Sequence, residues 1–167
     1  NTQLANQTIT FEPLTESNYG DAPFGLNATA SSGLAINYTS SDETIASING
    51  NIVTLLQPGT VTITALQGGN TSFNPAPASI QTLVIGKKQL SVSEVVVAEK
   101  TYDGTNNAQI NSYQLNGIVS TDEVSLTNSA VFEQVGVGQD IAVTPNFELT
   151  GLHAARYTLV QPTGVLG

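Results

Sequence analysis

Apolar residues alternate with Thr, Ser and Asn in short runs along the whole chain. The clearest run is Thr60-Val61-Thr62-Ile63-Thr64-Ala65-Leu66. Val61, Ile63 and Ala65 fall on one face and the Thr residues on the other, which is the period-2 pattern of a half-buried strand. Strand runs are also predicted at residues 7–11, 26–30, 35–39, 45–48, 51–56 and 80–85. Turn residues cut them apart: Pro13, Ser31-Ser32-Gly33, Gln57-Pro58-Gly59, Gly68-Gly69-Asn70 and a Pro-containing loop over residues 73–77. Asn49-Gly50 sits between two apolar runs, the strongest short-range hairpin signal. About seven short strands in such a length fit a β-sandwich of immunoglobulin type.

The second half repeats the style without repeating the residues. Strands are predicted at residues 90–98, 108–115, 123–126, 130–132, 141–147 and 157–160. Asn116-Gly117, Thr121-Asp122, Gly136-Val137-Gly138 and Thr150-Gly151 supply the turns. No stretch carries a helical 3.6-residue period. Gly86-Lys87-Lys88 marks the boundary. The predicted fold class is all-β: two tandem immunoglobulin-like β-sandwich domains, elongated, at residues 1–86 and 87–167. The last strand of the second reads as truncated at Gly167 or lying beyond it. The short link predicts a stiff pair. The chain starts and stops mid-pattern, as an excised piece of a longer protein would.

Composition narrows the function classes. Hydrophobic residues make up 40% and charged residues 10%, with 13 acids against four bases and a net charge of −9. Too few charges and too many apolar residues are present for a disordered chain. Residues 1–86 contain no Lys or Arg, so neither nucleic acid nor an anionic membrane is an expected partner. With no Cys, disulfides and thiolate metal sites are excluded. No run approaches the roughly 18 apolar residues of a membrane span.

Two ordered sets of motifs resemble known families. Ile36-Asn37-Tyr38-Thr39-Ser40-Ser41-Asp42, Ile45-Ala46-Ser47-Ile48-Asn49-Gly50-Asn51, Gly59-Thr60-Val61-Thr62-Ile63-Thr64-Ala65 and Gly69-Asn70 follow one another in the first half. This order resembles the bacterial Ig-like (MBG-type) repeats of large adhesins. The second half carries Lys100-Thr101-Tyr102-Asp103-Gly104-Thr105, Leu115-Asn116-Gly117-Ile118-Val119, Asp122-Glu123-Val124-Ser125-Leu126, Val135-Gly136-Val137-Gly138, Leu149-Thr150-Gly151 and Tyr157-Thr158-Leu159. This set resembles the YDG module of hemagglutinin-like and filamentous bacterial surface proteins. His153-Ala154-Ala155-Arg156 departs from that pattern, a departure read as tuning a surface loop and leaving the fold intact. The resemblances imply tandem repeats, extracellular or on the bacterial cell surface, that space or link other domains. They imply no enzyme and transfer no catalytic residue. The expected state is a monomeric segment whose partners are neighbouring repeats. The alternative is a module that binds a host or environmental glycan or protein through loops at one end of a sandwich.

Candidate chemistry is sparse. Tyr102-Asp103-Gly104 reads as a turn, with the carboxylate bonding nearby amides and the Tyr102 ring packed at the sandwich edge. Calcium needs six to eight oxygens, and Asp103, Asp122, Glu123 and Asp140 are the candidate contributors to such a structural site. No other cofactor is expected. Tyr19, Tyr38 and Tyr113 are candidate exposed platforms for a sugar, with cross-strand packing as the competing reading. His153 is the single His, without a G-x-S-x-G elbow, and reads as an exposed loop residue. Lys100 is the candidate for an internal Lys–Asn crosslink, which needs a strand-borne Lys beside a buried acid. Four Asn-x-Ser/Thr sequons begin at Asn6, Asn27, Asn37 and Asn70, a number that chance explains in a chain so rich in Asn and Thr.

Overall fold

A β-branched Cβ packs well on a pleated surface, and the Thr, Val and Ile of this chain build an all-β fold. The computed structural model describes residues 3–167. Among these, no helix is long and apolar enough to cross a membrane. The chain divides into two compact units, Asn1–Gly86 and Lys87–Gly167.

The first unit contains β1 (Ile9–Thr10), β2 (Ser17–Asn18), β3 (Phe24–Gly25), β4 (Thr29–Ala30), β5 (Asn37–Ser40), β6 (Ala46–Asn49), β7 (Ile52–Leu55), β8 (Gly59–Leu66) and β9 (Ser79–Gly86). They form a four-stranded sheet ordered β2-β9-β8-β5, a three-stranded sheet ordered β3-β7-β6, and a β1-β4 pair. Strand β8 keeps the alternation of its sequence: Val61, Ile63 and Ala65 are buried, while Thr60 and Thr62 are exposed. Val61 faces Leu83 across the ladder. Both join a core with Leu26, Ala46, Val53 and Leu55.

The hairpin is displaced by one residue from its predicted turn. Asn49 pairs with Ile52, so Gly50 and Asn51 form the loop. Gly50 has φ +62° and Asn51 keeps a negative φ, the sign pattern of a type II′ turn with Gly at its first central position. Asn51 is held there by Leu26, the residue after β3: its carbonyl accepts from the Leu26 amide at 2.7 Å and its Nδ2 donates to Leu26 O at 3.2 Å. Strands β2 and β3 carry no apolar alternation and were not among the predicted runs. Tertiary pairing makes them: β2 runs parallel to the end of β9, Ser17 opposite Ile85 and Asn18 opposite Gly86.

The second unit contains β10 (Lys88–Val97), β11 (Asn107–Ala108), β12 (Ile110–Asn116), β13 (Ser125–Phe132), β14 (Ala142–Thr150), a 3-10 helix (Ala154–Arg156), β15 (Tyr157–Val160) and β16 (Val165–Leu166). One sheet is ordered β12-β10-β15 and the other β11-β13-β14-β16. Val95, Val97 and Ile110 of the first pack on a cluster of Ala130, Phe132, Val143 and Val165 from the second. A last strand is therefore present at Val165–Leu166, antiparallel to the start of β14.

Predicted strands 123–126 and 130–132 fuse into β13, because β14 pairs with it from Ser125↔Thr150 to Phe132↔Val143. Thr127, Asn128 and Ser129 stay in the strand although all three are exposed. Strand β10 changes phase midway. Leu90 and Val92 point inward before Glu94, and Val95 and Val97 after it. Glu94 has φ +52° within the register shift between Ser93 and Val96. A β-bulge at this point re-aims the side chains that follow it.

Strand β14 carries Pro145 opposite Ala130. Proline cannot donate to a ladder and belongs where one edge is open. Strand β16 pairs only with Ala142 and Val143, so the β14 edge beyond them is free of a strand partner. Gln161 covers the next outward position: its Oε1 accepts from Phe147 N at 2.9 Å and its Nε2 donates to Phe147 O at 2.7 Å. One carboxamide thus replaces a strand partner.

Candidate functional site

Residues 98–106 lie outside the strands between β10 and β11, and Lys100 organises them. Its ammonium donates to Thr105 O (2.9 Å), Thr105 Oγ1 (2.7 Å) and Asn107 O (2.9 Å), and lies 3.0 Å from Asp103 Oδ1. The same Asp103 oxygen accepts from the Thr105 amide and the Thr105 hydroxyl, each at 2.8 Å. Gly104, at φ +77°, lets the chain reverse between them. Lys100 first, then the Thr105 amide and hydroxyl, hold the Asp103 carboxyl down to about 2. Asp and Gly therefore play the predicted turn role. Tyr102 does not pack at an edge: it is 63% exposed, because the carboxylate beside it takes up the turn and leaves the ring outside.

This loop forms one wall of a groove of about 520 Å³. The opposite wall is the loop over residues 134–140, and buried Phe132 with half-buried Ile141 lies between them. Tyr102, Val135 and Val137 line the groove and are large apolar residues exposed to solvent. Glu99 and Asp140 line it too. Asp140 is held at φ +53°, a region that Asp adopts more readily than most residues.

A second polar cluster lies at Asp122. Its side chain is 2% exposed and receives Arg156 Nη1 at 2.8 Å. The Tyr157 hydroxyl donates to the other carboxylate oxygen and accepts from Val119 N at 3.1 Å. His153 Nδ1 accepts from the Glu123 amide at 2.9 Å, which leaves the ring proton on Nε2. The approach of 3.6 Å between Nδ1 and Asp122 is then not a hydrogen bond. The loop from His153 to Arg156 folds into a 3-10 turn that carries His153 and Arg156 to the acids after Val119. Sequence reading missed the pairing, since Asp122 and Arg156 stand 34 residues apart.

The candidate calcium residues do not converge. Asp103 is committed to Lys100 and Thr105, and Asp122 to Arg156 and Tyr157. No group of three or more His, Cys, Asp or Glu fit to hold a metal occurs among the described residues.

The Tyr candidates are corrected in the same way. Tyr19 is buried at 6% where its amide binds Gly86 O. Tyr38 accepts from Ala28 N at 2.9 Å and lies against Phe11, ring centroids 5.9 Å apart. Tyr113 meets Phe147 edge to face at 5.0 Å. Tyr38 and Tyr113 are half-buried, and their packing on Phe11 and Phe147 follows the packing reading of these residues. Lys100 is likewise no crosslinking residue. It sits in a loop, its amine meets backbone carbonyls and hydroxyl rather than a carboxamide, and its acid partner is 54% exposed.

The clamped Lys-Thr-Tyr-Asp-Gly-Thr loop and the Asp122 cluster both belong to the second unit, Lys87–Gly167. A YDG domain is found at residues 86–164, by match to the model of that family. No curated protein matches the chain.

Proposed function

We propose that the chain is a pair of load-bearing spacer modules in a large secreted or surface-attached bacterial protein, resembling the stalk repeats of adhesins. In this reading the first unit is a bacterial Ig-like repeat of MBG type, the second is the YDG sandwich, and their partners are neighbouring repeats. The observation that carries the proposal is the parallel pairing of an early with a late strand in each unit. In the second unit β10 runs parallel to β15, from Lys88↔Tyr157 to Ser91↔Val160. In the first, β2 runs parallel to the end of β9. Once the short outer pairs β1-β4 and β14-β16 have given way, tension from the two ends pulls each parallel pair in shear, so its hydrogen bonds share the load instead of opening one by one. Stretching the chain by its ends in a force spectrometer is the test. Two separate high-force rupture events support the spacer, since forced unfolding reports the unfolding barrier. Smooth low-force extension ends the proposal.

The groove supports a second role, binding through loops at one end of the YDG unit. It does not depend on Tyr19, Tyr38 or Tyr113. A spacer can carry such a groove without losing its mechanical role.

A further inference from the structure

The groove between the two loops combines three features. Its rim is apolar: Tyr102 is 63% exposed, Val135 44% and Val137 82%. Such side chains are normally scattered singly over a surface; here three converge on one concavity. Its volume, about 520 Å³, lies in the range of ligand pockets. Its charge is negative and unbalanced. Neither Glu99 nor Asp140 has an ion-pair partner among the described residues, and the one cation lining the groove, Lys100, has its ammonium surrounded by Asp103, Thr105 and Asn107.

We infer that this groove docks a short extended peptide bearing basic and apolar side chains. The ammonium or guanidinium groups would lie against Glu99, Asp140 and the face of Tyr102, where cation–π attraction adds to the charge term. The apolar residues would cover Val135 and Val137. A neutral glycan gains nothing from the two unpaired carboxylates, and an acidic ligand is repelled by them. The inference stands apart from the spacer reading, and neither fails with the other.

The test uses the full chain and a fluorescein-labelled peptide of alternating lysine and leucine, read by fluorescence polarisation. The same peptide with acetylated lysines is the uncharged probe. Saturable binding is expected, weakening with salt and absent for the acetylated peptide. The double variant Glu99→Gln, Asp140→Asn should bind at least about fivefold more weakly. Asn keeps the positive φ of position 140 accessible, so the fold should survive. Tyr102→Ala should weaken binding at least about twofold. The control variant Glu43→Gln, Glu148→Gln changes net charge equally at two exposed positions outside the groove and should bind like the parent. No saturable binding, equal binding of the acetylated peptide, or an equal loss in the control and groove variants would overturn the inference. So would binding of neutral glycans that survives the Glu99 and Asp140 substitutions.

Discussion

Replacing Arg156 with Met should destabilise the second unit far more than loss of a surface ion pair does. The substitution keeps much of the side-chain length and removes the cation. It leaves the Asp122 carboxylate, 2% exposed, without the guanidinium at 2.8 Å. Removing one member of a buried pair costs about 3–5 kcal/mol, because the remaining charge stays desolvated. Arg156 is itself 26% exposed, and the Tyr157 hydroxyl still bonds Asp122, which places the expected loss near the lower bound, about 3 kcal/mol. For a unit of this size each kcal/mol moves the midpoint by roughly 4–8 °C, so the shift should be roughly 12–24 °C. Scanning calorimetry of the whole chain reads it, with the first unit's transition as an internal control. The double variant Asp122→Asn, Arg156→Met should lose clearly less than the two single losses added together, since no buried charge is left unpaired. A shift under about 4 °C for Arg156→Met would assign the pair to the surface class, worth about 1 kcal/mol or less, and refute the reasoning.

Further outcomes follow from the same geometry. Asp103 titrates at about 2 instead of the ordinary 3.8, so its contribution is complete above the higher value and is lost as pH falls toward the lower. Asp103→Asn should therefore lower the second unit's midpoint near pH 6 and differ less from the parent as pH falls from 4 to 2; a constant gap over that window would contradict this. Gln7 is 3% exposed, donates to Asn74 O at 2.7 Å and Gln67 Oε1 at 3.1 Å, and accepts from Ser32 Oγ. Gln7→Leu removes the side-chain donor to Asn74 O and the acceptor of the Ser32 hydroxyl, and should cost the first unit about 1–3 kcal/mol in urea unfolding. Gly69 and Gly33 share φ +75°, but a Cβ on Gly69 would lie 2.4 Å from Phe73 O whereas one on Gly33 meets nothing within 4 Å. Gly33→Ala should cost about 1–2 kcal/mol from its backbone alone, and Gly69→Ala distinctly more in the same assay.

Strands with a private alternation were legible in the sequence. Residues 60–66 appear as β8 because burial on one face and Thr on the other are written into adjacent positions, and residues 80–85 appear as β9 because they form a short apolar run whose Leu83 and Ile85 are buried. What depends on a distant partner was not legible. Strands β2 and β3 exist through pairing with β9 and β7. The Val95-Val96-Val97 run does not announce which residues point inward, since the bulge at Glu94 sets the phase. Tyr38 and Tyr113 could be read as exposed because a Tyr tolerates either face of a strand; the rings of Phe11 and Phe147 decide it. The Lys100 loop was recognisable as a turn, since Asp and Gly have local reasons to be there. Its groove was not, because the opposite wall lies some thirty residues further on and carries only the generic turn signal Val135-Gly136-Val137-Gly138. The Asp122 cluster was hidden for the same reason, behind a stretch that looked like a surface loop.

The load path is the claim on which the spacer account rests, and pulling direction tests it most directly. The chain has no Cys, so paired Cys handles can be introduced without interference. One pair holds the ends of the chain and, once β16 has left β14, loads β10 against β15 in shear. The other holds exposed Ser129 and Asn146, which face one another on the antiparallel strands β13 and β14, and peels that ladder open. The account predicts a clearly higher rupture force for the second unit in the first direction than in the second. Equal forces in both directions, or a lower force for end-to-end pulling, would contradict it.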